Sequence, residues 1–67
     1  MTNVALFLAP HRVRRLLALV EAQPGLTVAE HEAAARVVDR YMVATGLVSL
    51  VNACQVRRDD SGRLWPI

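Results

Sequence analysis

The sequence predicts a mainly α fold: a small helical hairpin or bundle with a C-terminal β-hairpin, completed by dimerisation. Apolar residues recur at helical spacing in two segments separated by Pro24-Gly25. A run of turn formers, Asp59-Asp60-Ser61-Gly62, stands between two short stretches of strand character. The expected partner subunit follows from size. A chain near this length buries only ~60% of the surface its unfolded form exposes, and disulfides, metals or association usually supply the remainder. With 67 residues, 54% apolar, and a single cysteine, association is the remedy left.

One domain, 1–67, is all this length allows. Residues 1–9 read as an apolar N-terminal arm. Val4–Ala9 is too short for a signal-peptide core and no basic segment precedes it. Helix one is predicted over 10–23. Pro10 suits the first helical position, where its fixed φ and missing N–H cost nothing. Val13, Leu16, Leu17 and Val20 follow the i, i+3, i+4, i+7 rule, and Leu19 and Ala22 widen that face. Pro24-Gly25 stops the helix.

Thr27-Val28-Ala29-Glu30 is a capping box, in which the threonine oxygen accepts from the Glu30 amide and the glutamate reaches back. Helix two is therefore predicted to start at Val28. No breaker follows before Gly46, so it is expected over 28–45, ~27 Å at 1.5 Å per residue. Ala34, Val37, Val38, Tyr41, Met42 and Thr45 form its apolar stripe, with Glu32, Arg36, Asp39, Arg40 and Val43 opposite. Helix one is shorter by about a turn, which leaves Tyr41, Met42 and Thr45 uncovered. The whole stripe is the expected dimer interface. Residues 47–53 read as a short helix, although their valines also suit a strand, and 55–66 as the β-hairpin. Pro66 confines the last strand to an edge.

Chemistry is sparse. His31 between Glu30 and Glu32 has no second histidine one turn away, so no zinc helix is predicted. There is no triad, carboxylate dyad or glycine-rich phosphate loop. The expectation is a non-enzyme without cofactor, metal or small-molecule substrate. Cys54 is expected to be a small buried hydrophobe. No stretch approaches the ~20 apolar residues of a membrane span, and the chain reads as a soluble cytoplasmic protein.

Net charge is +2, and all eight cations are arginine. Guanidinium groups suit bidentate contacts to carboxylate or phosphate, though an arginine-only, alanine-rich chain also fits a GC-rich genome. Arg12, Arg14 and Arg15 cluster where helix one begins, together with free backbone amides. They and Trp65, a favoured hot-spot type, are the candidate contacts to an acidic surface on a cytosolic protein.

Two resemblances bear on function. Arg12-Val13-Arg14-Arg15-Leu16-Leu17-Ala18-Leu19-Val20-Glu21 and the Pro24-Gly25-Leu26-Thr27 junction resemble, in format, small phage-encoded anti-activator proteins that bind host regulators. That resemblance implies a protein that binds and inhibits or modulates a transcription regulator, with the homodimer following from the apolar surplus, and it brings no site residues with it. Tyr41-Met42-Val43-Ala44-Thr45-Gly46-Leu47-Val48-Ser49 resembles the corner of a helix-turn-helix, with Gly46 at the turn. A recognition helix beginning near Ser49 would present Asn52, Gln55 and Arg58, and the hairpin, with Arg57, would serve as the wing of a winged helix-turn-helix regulator. Four features place this DNA-binding reading second: the long helix before the corner, the apolar candidate recognition helix, Asp59 and Asp60 in the wing, and a nearly neutral helix two that leaves little basic surface for phosphate.

Overall fold

The computed structural model describes residues 9–67, so the expected arm falls outside the described residues except for Ala9. The chain is mainly helical with a C-terminal antiparallel hairpin, as its patterning predicts. Helix α1 spans Pro10–Ala22, α2 Val28–Ala34 and α3 Arg40–Asn52, and strands β1, Val56–Arg58, and β2, Leu64–Pro66, close the chain.

Pro10 occupies the first turn of α1, and Ala9 before it is extended. Leu16 and Val20 are buried while Val13 and Leu17 pack partly against the core. The buried stripe is narrower than expected, because Leu19 is 38% exposed and Ala22 is exposed. After α1 the chain turns through Gly25 at φ +88°. Gly25 N–H donates to the Leu64 carbonyl and Leu64 N–H donates to the Leu26 carbonyl, both at 2.8 Å. Thr27 then bridges Arg63. The segment between α1 and α2 thus runs along the outer edge of β2, with β1 on the other side.

The capping box forms at Thr27. Thr27 N–H donates to Glu30 Oε1 at 2.9 Å and Glu30 N–H donates to Thr27 Oγ1 at 3.1 Å. The expected 28–45 helix does not form. It stops at Ala34, Ala35 and Arg36 are extended, and a single 3-10 turn, Val37–Asp39, leads into α3. No glycine or proline marks this break. Arg40 reaches back instead, donating to the Ala33 and Ala35 carbonyls at 3.3 Å each. These are among the orphan acceptors that any helix end must satisfy.

Breaking there re-aims everything that follows. Val43, Gly46, Leu47 and Leu50 become the buried face of α3, at i, i+3, i+4, i+7. The residues expected as helix two's apolar stripe turn outward: Val37, Val38 and Tyr41 are 74%, 76% and 81% exposed. Ala34 and Thr45 are exposed too, and only Met42 packs partly on the core. Gly46 is no corner. It lies inside α3 where a Cβ would meet Leu16 Cδ1, so its missing side chain lets α1 and α3 approach closely. The expected 47–53 helix is the second half of α3.

The hairpin forms as predicted, in the register Val56↔Pro66, Arg57↔Trp65, Arg58↔Leu64, with Gly62 at φ +83°. The core is Leu16, Val20, Val43, Leu47, Leu50, Val56 and Leu64. Among the described residues, no helix is long and apolar enough to cross a membrane.

Candidate nucleic-acid interface

The break between α2 and α3 creates the surface of interest. With α3 buried along Val43, Leu47 and Leu50, its outward stripe is Tyr41, Thr45, Val48 and Asn52, spaced i, i+4, i+7 and i+11. None of these four side chains is needed for the core. Along the helix axis the stripe covers ~16 Å. Arg36, Val37 and Val38, exposed in the connecting turn, extend it at the leading end.

At the trailing end Asn52 enters an open groove of about 490 Å³, which it lines with Cys54, Arg57 and Arg58. Three of the four residues expected at a DNA interface, Asn52, Arg57 and Arg58, therefore meet. Gln55 does not join them, because it borders a separate hollow with Leu17, Val20 and Glu21. The predicted start of a recognition helix near Ser49 is also corrected: Ser49 is in mid-helix, its hydroxyl donating to the Thr45 carbonyl at 3.0 Å.

Arginines flank both ends. Arg15 Nη2 lies 3.8 Å from Asp39 Oδ2, which places the basic start of α1 beside the start of α3. Arg12 is one turn earlier on the same flank, Arg14 is around the helix from it, and all three are exposed. Indeed each of the eight arginines is exposed. Three of the six acids are engaged. Glu30 is used in the cap, which holds its carboxyl below the ordinary value, chiefly through the Thr27 backbone N–H. Asp39 faces Arg15.

Asp59 is bound most completely. Its Oδ1 accepts from Ser61 N–H at 3.0 Å, the Ser61 hydroxyl at 2.8 Å and Arg63 N–H at 2.9 Å. Its Oδ2 accepts from Trp65 Nε1–H at 2.9 Å. These donors, the indole first, hold its carboxyl far below the usual carboxylate range. Asp59 is thus the post on which the hairpin is built, leaving Asp60 as the exposed acid at its tip.

Trp65, expected among the partner contacts, is half-buried. Its ring lies 3.2 Å from where a Gly25 Cβ would be, and the Arg57 guanidinium sits 5.7 Å from the ring centre, a cation–π distance. Arg63 is held as well, donating to the Gly25 carbonyl at 2.8 Å. Trp65 and Arg63 therefore anchor the hairpin to the α1–α2 turn, while on β1 Arg57 lies over the Trp65 ring and Arg58 is exposed.

Sequence patterning missed Arg36 and Val48, since both take their place only once the helix breaks at Ala35. It also misplaced Cys54, which is exposed with φ +61°. Among the described residues no three His, Cys, Asp or Glu side chains gather. Comparison with protein families, with curated proteins and with solved structures found no match. Any functional reading rests on the geometry.

Proposed function

We propose that this chain is a small DNA-binding regulator of the winged helix-turn-helix type. In this reading α2, the Ala35–Asp39 turn and α3 are the helix-turn-helix, α3 enters the major groove, and the β1–β2 hairpin is the wing. The observation that carries it is the continuous outward surface from Val37 through Tyr41, Thr45, Val48 and Asn52 to Arg57 and Arg58, with Arg12 and Arg15 at its other end. A groove-reading helix needs one face free of the core and cations on either side for the phosphates. The order of elements, with a strand-like bridge before α2 and two strands after α3, supports the same assignment. Two of the features that speak against it in the sequence lose their weight: the helix before the turn has seven residues, and Asp59 is occupied inside the hairpin; the outward face of α3 stays apolar and Asp60 stays exposed.

Arg57 and Arg58 are assigned to phosphate. A gel-shift titration of the full chain on duplex DNA at two salt concentrations tests the assignment. Affinity should fall steeply with salt, and Arg57→Ala with Arg58→Ala should weaken binding to all sequences alike and flatten the salt slope by about 2. No binding to any duplex at low salt overturns the proposal.

A second reading is favoured by one observation, the apolarity of Val37, Val38 and Tyr41 at 74–81% exposure. Such a patch suits a second copy of the chain, and a regulator acting through protein contacts. Sedimentation equilibrium separates the two: a monomer at micromolar concentration that binds DNA leaves the patch to the nucleic acid.

A further inference from the structure

We infer that the outer edge of β1 is a docking site for an extended, acidic segment of a partner protein, which adds to the hairpin as a further strand. The inference does not rest on DNA binding.

The register shows which edge is open. Leu64 directs both of its backbone groups away from β1, its N–H donating to the Leu26 carbonyl and its carbonyl accepting from Gly25 N–H. Along a strand, the N–H and C=O of one residue point to one side and those of its neighbour to the other. Arg58 stands opposite Leu64, so its own N–H and C=O face away from β2, and those of Val56, two residues back, face the same way. Asp59 N–H, donating to the Arg63 carbonyl at 3.0 Å, fits this alternation. The segment before α2 covers the outer edge of β2. Among the described residues no strand or loop pairs with the outer edge of β1. Two donors and two acceptors therefore alternate along it, which is what an added strand uses. A phosphate would use only the donors.

Charge selects the strand. Arg57 and Arg58 are exposed and, as neighbours on a strand, project to opposite faces. Among the described residues neither is in a salt bridge. A second copy is the wrong occupant. Two β1 edges paired antiparallel about a two-fold axis would set Arg57 directly against its own counterpart, and like charges so placed are destabilising. Adjacent glutamates on an incoming strand would instead pair with both guanidiniums. Opposite Val56, an apolar side chain would lie over the groove of about 490 Å³ that Val51, Val56 and Ile67 help to line.

The test is an amide NMR titration of the full chain, at low salt, with a capped peptide carrying two adjacent glutamates and an isoleucine between threonines. Shift changes should centre on Val56, Arg57 and Arg58, with slower hydrogen exchange at the Val56 and Arg58 amides. Methylating the peptide's backbone nitrogens keeps its charge, removes its donors, and should weaken binding about tenfold. Arg58→Ala should weaken it about threefold while the hairpin resonances stay in place. Equal affinity for the methylated peptide, shifts centred elsewhere, or no binding at millimolar peptide overturns the inference. Protection of the Val56 and Arg58 amides that grows with protein concentration gives the edge to a second copy and overturns it too. Shifts on β1 with a DNA duplex but not with the peptide leave the arginines to nucleic acid alone, which removes this inference and not the DNA-binding assignment.

Discussion

Cys54 shows how a single residue can violate its expected role for a reason of backbone geometry. Ala53 caps α3, and Cys54 follows at φ +61°. Gln55 N–H donates to the Leu50 carbonyl at 2.8 Å and Cys54 N–H to the Val51 carbonyl at 3.0 Å. These are the 6→1 and 5→2 bonds of a Schellman motif, whose left-handed position is usually glycine. A left-handed L-residue costs roughly 1–2 kcal/mol, part of which glycine gives back through its looser unfolded chain. Cys54→Gly is therefore expected to stabilise the protein by about 0.5–1 kcal/mol, read as a higher urea midpoint at unchanged m-value. A lower midpoint would mean that the thiol makes a contact which outweighs the strain. The sequence places Cys54 in a helical apolar row behind Leu47, Leu50 and Val51; nothing local marks the residue at which α3 unwinds.

At the scale of elements, what the sequence discloses and what it hides divide cleanly. Thr27 with Glu30, Pro10, Pro24-Gly25 and Asp59 to Gly62 act through bonds or torsions within a few residues of themselves, and each produces the predicted boundary. The α2–α3 break is different. Ala33 to Asp39 contains no residue that forbids helix, and the choice is made by partners distant in sequence: Leu16, which α3 must meet at Gly46, and the core, which Leu47 and Leu50 must enter. Tertiary packing routinely overrides propensity in this way. Because this outward surface exists only after the break, Val37, Val38 and Tyr41 are legible as an apolar stripe but not as an outward one. Arg40 caps the break locally. Arg40→Ala should cost about 1 kcal/mol by leaving the Ala33 and Ala35 carbonyls to water. Arg40→Met, which keeps most of the aliphatic stem, should cost nearly as much, so that denaturation of the pair separates capping from packing. If only the alanine variant is destabilised, the stem and not the guanidinium holds the corner.

Among the described residues of the molecule seven apolar side chains are buried, so its stability should respond visibly to any polar group caught among them. His31 is that group, 3% exposed with Nε2 buried and, among the described residues, without a hydrogen-bond partner. Burial pushes its pKa below the ordinary 6.5, and the charge of neighbouring Glu30 opposes this less strongly. The unfolded chain therefore takes up the proton first, and stability must fall with acidity. The contribution of neutral His31 is complete above about pH 6.5 and is lost as pH falls through the folded-state value. A second descent belongs to Asp59, whose carboxyl is lowered by the Trp65, Ser61 and Arg63 donors from an ordinary 3.8. Its contribution is complete above that value and drains away below it. His31→Leu should remove the upper descent, leave the lower one in place, and raise stability at neutral pH by about 1 kcal/mol, because an unpaired buried polar atom is replaced by an apolar group of similar volume. Urea unfolding from pH 7.5 to 3 in both proteins checks this. Parallel profiles would show that the imidazole is solvated or paired, and would move the origin of acid sensitivity out of the α2–α3 core and into the hairpin.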